Sequence, residues 1–338
     1  MGYRVAILGA TGAVGAEFLQ LLSERDFPVD ELRLLASAKS VGKRLQFKGK
    51  DITVEECTEN SFRGVDLVLA SAGKSVSKRF APIAASEGAI VVDNSSFFRM
   101  DPKVPLVIPE VNLDAVGEDD RIIANPNCST IIMALPLYPL HRAFGVRRVH
   151  ACTYQAASGA GLKAMTELTE ETRAVIEQRS YERTVIPHQY AFNLFIHNSP
   201  MSDTGYVQEE EKMLSETRKI FSEPNFRVNA VCVRVPVLRA HSEALNIEFE
   251  REVAVDEAYE VLRNAPGVEI LEDRDRNRWP MPIDATGKDP AFVGRIRKDL
   301  SQPNTLDLWV VGDQIRKGAA LNAIQIAETT FASARSAS

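Results

Sequence analysis

Apolar residues along the first third of the chain fall into short unbroken runs separated by helical patterns. That alternation marks a sheet covered on both faces by helices. Arg4-Val5-Ala6-Ile7-Leu8 is the first run, and behind it Val14, Phe18, Leu21 and Leu22 recur at helical spacing. Strand-like runs follow at residues 32–36, 65–70, 89–92, 106–108 and 121–124, with a helix predicted over 76–86. The order predicts an α/β fold whose first domain is a mostly parallel, doubly wound sheet. Beyond it, residues 149–154, 227–237, 244–251, 292–296 and 306–311 read as strands, and 166–178 and 209–221 as helices. An apolar run from Ile131 starts another helix, which Pro136 and Pro139 are expected to bend or stop early. Leu321, Ile324 and Ile326 give the last helix an apolar face, expected to pack back on the first domain.

Composition narrows the partners. With 338 residues, 45% of them hydrophobic, the chain can bury two cores. Lys and Arg total 40 against 46 Asp and Glu, and a net charge of −6 gives no electrostatic reason to expect nucleic acid or an anionic membrane. A small-molecule substrate is the expectation. The chain passes from Met1 into a strand without a basic n-region or a long apolar stretch, so a cytoplasmic location is expected. Cys57, Cys128, Cys152 and Cys232 are scattered, so neither disulfides nor a metal site is expected.

The candidate chemistry begins at Gly9-Ala10-Thr11-Gly12-Ala13-Val14-Gly15, a glycine turn between a strand and a helix. Such a turn brings a pyrophosphate against bare backbone at a helix N-terminus, the Rossmann-like arrangement for a dinucleotide. After the second strand run, Ser37-Ala38-Lys39-Ser40-Val41-Gly42-Lys43-Arg44 lacks the acid that would hold a ribose 2′-hydroxyl. Its hydroxyls and cations suit a 2′-phosphate, so NADP is expected, with Ser37, Ser40 and Arg44 as contacts. Ser71, Ala72 and Gly73 follow a further strand, at the edge where such sheets bind ligands. Arg99 is the basic residue of the next loop and could hold a substrate phosphate.

Cys128 lies in Asn125-Pro126-Asn127-Cys128-Ser129-Thr130, between a strand-like and a helix-like run. Unpaired backbone N–H groups and the helix dipole favour thiolate there, and Cys128 reads as a covalent nucleophile. In Gln155-Ala156-Ala157-Ser158-Gly159-Ala160-Gly161 the small residues let another group approach the backbone, a nicotinamide ring being one candidate. A cysteine nucleophile asks for a proton shuttle, and His141, His150, His188, His197 and His241 are all available. His241 shares a short segment with Arg234. Glu209-Glu210-Glu211-Lys212 places three acids at a helix start, which suits its dipole, and Lys212 could still face a phosphate.

Taken together, the glycine turn, the cysteine hexapeptide, Tyr154 to Gly161, Arg234-Val-Pro-Val-Leu-Arg-Ala-His241 and Lys317-Gly-Ala-Ala-Leu-Asn322 resemble the aspartate-semialdehyde dehydrogenase family. The resemblance implies an NADP-binding domain of residues 1–127, completed by 315–335, and an α+β catalytic and dimerisation domain of 128–314. It implies reversible, NADP-dependent reductive dephosphorylation of L-aspartyl 4-phosphate to the semialdehyde through a cysteine thioester, in the biosynthesis of lysine, threonine and methionine. By matching position, Cys128 is the nucleophile, Gln155 orients the acyl group, and His241 is the acid/base. Arg234 holds the substrate carboxylate, Glu209 faces the amine, and Arg99, Asn127 and Lys212 lie near phosphate. Ser158, Gly159 and Asn322 join the glycine turn as cofactor contacts, and a homodimer or homotetramer is implied. Two rivals stand beside it: an N-acetylglutamyl-phosphate-type reductase, and a non-enzymatic NADP-binding redox sensor.

Overall fold

The structure is a computed structural model and describes residues 2–336. The chain divides into two compact units, Met1–Asn127 with Ala319–Ser338, and Cys128–Gly318. In the first unit, seven strands are ordered β3-β4-β2-β1-β5-β6-β7. They are β1 Tyr3–Leu8, β2 Val29–Ala36, β3 Arg44–Phe47, β4 Lys50–Glu56, β5 Leu67–Ala70, β6 Ile90–Asp93 and β7 Ile122–Ala124. All neighbours run parallel except β3, which folds back on β4 through a tight turn at Lys48-Gly49. Both turn residues have positive φ, 47° and 79°, the backbone that a two-residue hairpin needs. This hairpin was not read from the sequence, and it moves Arg44 out of the expected loop into a strand. Residues 106–108 do not form the expected strand. Pro105 and Pro109 bracket them, and only the isolated bridge from Leu106 to Ala124 forms.

Helices α1 (Ala13–Glu24), α2 (Lys74–Ser86) and the short α3 (Pro109–Asn112) belong to this unit, as does the C-terminal helix Leu321–Ser336. The C-terminal helix buries Leu321, Ile324 and Ile326 in one core with Val5, Ile7, Phe18, Leu21 and Leu22. Arg25 locks the helix with a two-pronged pair to Glu328, at 2.7 and 2.6 Å.

The second unit is built on a mixed sheet, β12-β13-β14-β11-β8-β10-β9. Along the chain its elements are α4 Cys128–Phe144, β8 Val146–Gln155, α5 Leu162–Ile176, β9 Phe195–Ile196, α6 Gln208–Ile220, β10 Val228–Arg234 and β11 His241–Phe249. There follow α7 Val255–Arg263, β12 Val268–Ile270, α8 Pro282–Ala285, β13 Ala291–Lys298 and β14 Thr305–Gly312. Strands β8 and β10 are parallel, while β11 is antiparallel to both β8 and β14.

Helix α4 corrects the sequence reading, because both Pro136 and Pro139 lie inside its 17 residues. Each proline removes a helical hydrogen bond and costs about 3 kcal/mol. Ile131 through Leu137 are buried on every side, and each large apolar side chain there returns about 1.5–3 kcal/mol. Packing therefore outweighs propensity.

Residues 183–191 carry no regular structure, yet buried carboxylates on α5 hold them. Glu167 accepts the N–H groups of Thr184, Val185 and Ile186 at 2.6, 2.9 and 2.7 Å. One turn on, Glu171 accepts those of Tyr190 and Ala191 at 2.7 and 3.0 Å and the Arg183 guanidinium at 2.5 Å. Among the described residues no helix is long and apolar enough to cross a membrane. Glu171→Ala would strand two buried N–H groups, and a loss on the order of 3 kcal/mol is expected. Urea denaturation would read it, together with faster proteolysis within 183–191.

Candidate active site

At the ends of β2, β1 and β5, three loops of the first unit meet around the glycine turn. Gly9 has φ +92°, and a Cβ there would lie 2.5 Å from the Ser71 carbonyl oxygen, so only glycine lets the turn close on the loop Ser71-Ala72-Gly73. A Cβ on Gly15 would collide with the Gly9 carbonyl, so helix α1 seats on the turn itself. Gly12 caps α1 without any side-chain hydrogen bond, which leaves the first-turn N–H groups of Ala13, Val14 and Gly15 to a ligand. Thr11 Oγ1 lies 3.3 Å from Ser40 Oγ, joining the turn to the loop after β2, where Ser37 is exposed. Arg44 is exposed at the start of β3. A cradle that a Cβ would fill, at a helix N-terminus, fits a pyrophosphate.

Deeper in the same unit, asparagines tie the strand ends together. The Asn125 amide donates to Asn94 Oδ1 at 2.9 Å, and the Asn322 amide donates to Asn125 Oδ1 at 2.7 Å and to the Val107 carbonyl at 2.9 Å. Asn322, expected at the cofactor, thus has its donor nitrogen committed inside the core. Arg99 is buried and folds back to donate to the Asn94 carbonyl at 2.8 Å. Asn127 is buried and immediately precedes Cys128.

In the second unit the strand register builds one row of polar side chains. Arg234 on β10 stands opposite Gln155 on β8, and the pairing of Ser242 with Tyr154 sets His241 on the other side of Gln155. Cys128 is the first residue of α4 and is partly exposed. A Cβ on Gly318 would lie 3.0 Å from Cys128 Cβ, so the missing side chain leaves space for the cysteine. Gln155 donates to Ser129 Oγ at 3.1 Å and to Thr153 Oγ1 at 3.2 Å, joining the first turn of α4 to the row.

Arg234 is 4% exposed. Its Nη1 donates to the Ala156 carbonyl at 3.2 Å and its Nη2 to His197 Nε2 at 2.8 Å, while Nε has no partner. Among the described residues no carboxylate is within ion-pair distance of it. His197 Nε2 faces the guanidinium, which only donates, and its Nδ1 lies 3.1 Å from Ser199 Oγ and accepts the Ser199 backbone N–H at 3.2 Å. Ser199 Oγ also accepts the Glu209 N–H at 3.1 Å. Burial and the Arg234 charge push the His197 pKa down to about 4. His241 is fully buried, its Nδ1 accepts the Ala156 N–H at 3.0 Å, and its Nε2 has no partner. Burial, then Arg234, push its pKa down to about 3.

The glycine loop answers to these groups. A Cβ on Gly159 would lie 2.9 Å from Arg234 Nη1 and 3.1 Å from His241 Nε2. Within this unit the guanidinium and the imidazole crowd Gly159. Ser158 is likewise engaged, its Oγ contacting the Gln314 amide. At the start of α6 the three acids separate by function. Glu210 accepts the N–H groups of Val207 and Cys232, both at 3.0 Å, and is a frame residue. Glu209 pairs with Lys212 at 3.0 Å. The other histidines fall away: His141 binds Glu223, His150 binds Asn229, and His188 packs on Phe195.

Two buried groups beside this row were not singled out by the sequence. His197 sits in an irregular segment, and only the pairing of the two-residue β9 with β10 brings it to Arg234. Glu243 lies one row below, opposite Thr153, fully buried with neither oxygen hydrogen-bonded, and burial raises its pKa well above the carboxylate range. A signal for it existed, since it shares the inward parity of Leu245, Ile247 and Phe249 along β11.

Comparison with known proteins follows this geometry. Residues 4–118 match the family model for the NAD binding domain of semialdehyde dehydrogenase, and 137–317 match the one for its dimerisation domain. The chain is 55% identical over 325 residues to the aspartate-semialdehyde dehydrogenase of Synechocystis sp., with 96% of each chain covered. It is 54% identical to that of Aquifex aeolicus, covering 97% of this chain and 98% of the relative. Among solved structures, aspartate semialdehyde dehydrogenase II of Vibrio cholerae complexed with ASA superposes with a TM-score of 0.94 at 44% identity, covering 97% and 98%. The Candida albicans enzyme with NADP gives a TM-score of 0.74 at 26% identity, covering 97% and 98%.

Glu243 supports a pH prediction. A carboxyl whose pKa is raised on folding stabilises the fold fully below its unfolded value, near 4.3, and that contribution is lost as pH rises towards the folded value. Glu243→Gln removes the titration. Its thermal midpoint should exceed that of the parent by more at about pH 8 than at about pH 5, and equal differences at both would refute the assignment.

Proposed function

Because the chain belongs to the aspartate-semialdehyde dehydrogenase family, we propose that it interconverts L-aspartate 4-semialdehyde and L-aspartyl 4-phosphate with NADP and phosphate. The reaction runs through a thioester on Cys128. One observation carries this reading: a cysteine at the first residue of a buried helix is tied, through the Gln155–Ser129 bond, to a row holding a buried arginine without an acidic partner and an imidazole.

Each role follows from local chemistry. The Cys128 sulfur gains its anionic character from the α4 N-terminus and carries the acyl group. Arg234 offers donors from a planar fork to the substrate carboxylate, and its own partners are neutral, so its charge is intact for that anion. Glu209, beside Lys212, meets the substrate amine, and Lys212, Arg99 and Asn127 serve phosphate. Gln155 orients the acyl group, and His241 serves the reacting oxygen. The first-turn N–H groups of α4 stabilise the tetrahedral oxyanion, where one donor contributes about 3 kcal/mol. When bound, NADP supplies the hydride acceptor. Gly9 to Gly15, with Thr11 and the N–H groups of Ala13 and Val14, would hold its pyrophosphate. Ser71 to Gly73 would line it, and Ser37, Ser40 and Arg44 would take the 2′-phosphate. In this reading Ser158, Gly159 and Asn322 act through the groups they already position.

The first domain, residues 1–127, is read as completed by the C-terminal segment. A homodimer or homotetramer through the second domain is supported by the dimerisation-domain match and by exposed Phe192, Leu194, Ile196 and Met201 around the edge strand β9. Four free cysteines accord with a reducing cytoplasm and a place in lysine, threonine and methionine biosynthesis.

The test is NADP reduction by aspartate semialdehyde with and without phosphate, run beside N-acetylglutamate semialdehyde. Phosphate-dependent turnover of the first alone is expected, and its absence would sink the reading. Cys128→Ala should abolish turnover while NADP binding survives. Arg234→Lys keeps the charge and loses the fork, so KM for the semialdehyde should rise at least about tenfold.

A further inference from the structure

Resting on that reading of the site, we propose that His197 and Ser199 are positioning residues for the amino-acid head of the substrate. His197 aims the Arg234 guanidinium that takes the carboxylate. Ser199 seats the first turn of α6, which carries Glu209 to the amine, and together they fix the spacing at which a free α-amino acid is accepted.

The stretch that carries both residues has little regular structure, yet its backbone is held at each end. Phe195 and Ile196 pair with Arg234 and Val233 on β10, and the His197 N–H continues the ladder by donating to the Cys232 carbonyl at 2.8 Å. On the far side the Pro200 carbonyl accepts the Gln208 N–H at 2.8 Å and Met201 bridges Val207, so the loop closes onto the start of α6. Glu210 ties that helix back to the same strand through the Cys232 N–H at 3.0 Å. The strand bearing Arg234 and the helix bearing Glu209 are thus joined by a short closed circuit, and His197 and Ser199 lie within it.

A guanidinium carries five N–H donors and no acceptor. Arg234 gives one to the Ala156 carbonyl at 3.2 Å and one to His197 Nε2 at 2.8 Å, its Nε has no partner, and the side chain is buried. Two fixed acceptors set its orientation and leave the other donors for an anion. Ordering the arginine before substrate arrives removes that entropy loss from binding. An acid at 197 would orient it equally well but would compete with the substrate carboxylate, whereas burial and Arg234 keep the imidazole neutral.

From its other nitrogen the ring is joined to Ser199, whose N–H donates to Nδ1 at 3.2 Å and whose Oγ lies 3.1 Å from it. That hydroxyl accepts the Glu209 N–H at 3.1 Å, a first-turn donor that no helical carbonyl reaches. Val207, at the cap position of α6, has no hydroxyl to offer, and Ser199 supplies one from outside the helix. An unbroken line of contacts therefore runs from Arg234 through His197 and Ser199 to Glu209. Arg234, Glu209 and Lys212 are all close enough to act on the charge of the His197 ring. A cation and an acid held at fixed spacing select a zwitterionic head, and an N-acylated substrate brings no cation for the acid.

The full-length enzyme tests this with NADP and phosphate at saturation, against L-aspartate semialdehyde and succinate semialdehyde, the same molecule without its amine. His197→Ala should raise KM for both at least about tenfold and leave kcat within about threefold, because the head group lies away from the reacting carbon. His197→Gln, whose amide oxygen can take the Nη2–H, should bring KM back to within about threefold of the parent, a rescue that a loss of fold alone would not give. Ser199→Ala should spare succinate semialdehyde and lower the preference for L-aspartate semialdehyde, as a ratio of kcat/KM, at least about fivefold. An unchanged KM in His197→Ala, a Gln variant no better than Ala, or an unaltered preference in Ser199→Ala would overturn the proposal. If His197→Ala does not fold, His197→Asn, too short to reach Nη2, takes its place. Nitrogen-15 NMR of the Arg234 guanidinium, assigned with Arg234→Lys and recorded without substrate, should show slow rotation about Cζ–Nη in the parent and the Gln variant and fast rotation in the Ala variant. If the parent does not turn over L-aspartate semialdehyde, the functional reading fails, and this substrate-free signal still decides whether His197 holds Arg234.

Discussion

A buried guanidinium bound only by neutral acceptors is the constraint around which the second unit is arranged. Arg234 gives its hydrogen bonds to a carbonyl oxygen and an imidazole nitrogen. Charge in so dry a place is strongly felt by its neighbours. Both His197 and His241 are kept unprotonated, in each case by burial first and by Arg234 second. A side chain at Gly159 would intrude on the same cation. An ion pair with an internal carboxylate would have steadied the arginine and cancelled its pull on an anion. The protein steadies it through polar neutral groups instead, and their alignment comes from strand register.

Carboxylates are used liberally, but away from that charge. Glu167 and Glu171 on α5 accept backbone N–H groups that fix the irregular passage 183–191, and Glu210 on α6 accepts those of Val207 and of Cys232 on β10. The segment carrying His197 is one consequence. It contributes a two-residue strand, too little pairing to define it alone, and α5 anchors the stretch before it. Glu243 breaks the pattern by being buried without partners, and it remains uncharged.

Much of this was legible in the residues. The alternation of apolar runs and helical spacing located the parallel sheet, and the apolar face of the last helix announced its packing against β1 and α1. Local chemistry singled out Cys128 and left five histidines open, and the family resemblance named Gln155, Arg234 and His241. What could not be read depended on contacts distant in sequence. Pro136 and Pro139 speak against a long helix until the burial of Ile131 to Leu137 is known. The β3–β4 hairpin puts Leu45, Phe47, Ile52 and Val54 on the core, but its strands are short and their other positions polar, so it hides among loop residues. His197 has no motif, and only pairing across 37 positions to Arg234 gives it a role. The crowding of Gly159 by Arg234 and His241 is a further contact of that kind.

The first unit is also discontinuous: its core takes Leu321, Ile324 and Ile326 from a helix that the ribosome makes only after the entire second unit. The nascent nucleotide-binding segment must therefore wait with an uncovered greasy flank while nearly two hundred further residues emerge. Unfinished surfaces of that kind invite aggregation and attract chaperones. The late helix would act as the clasp that ends this vulnerable interval.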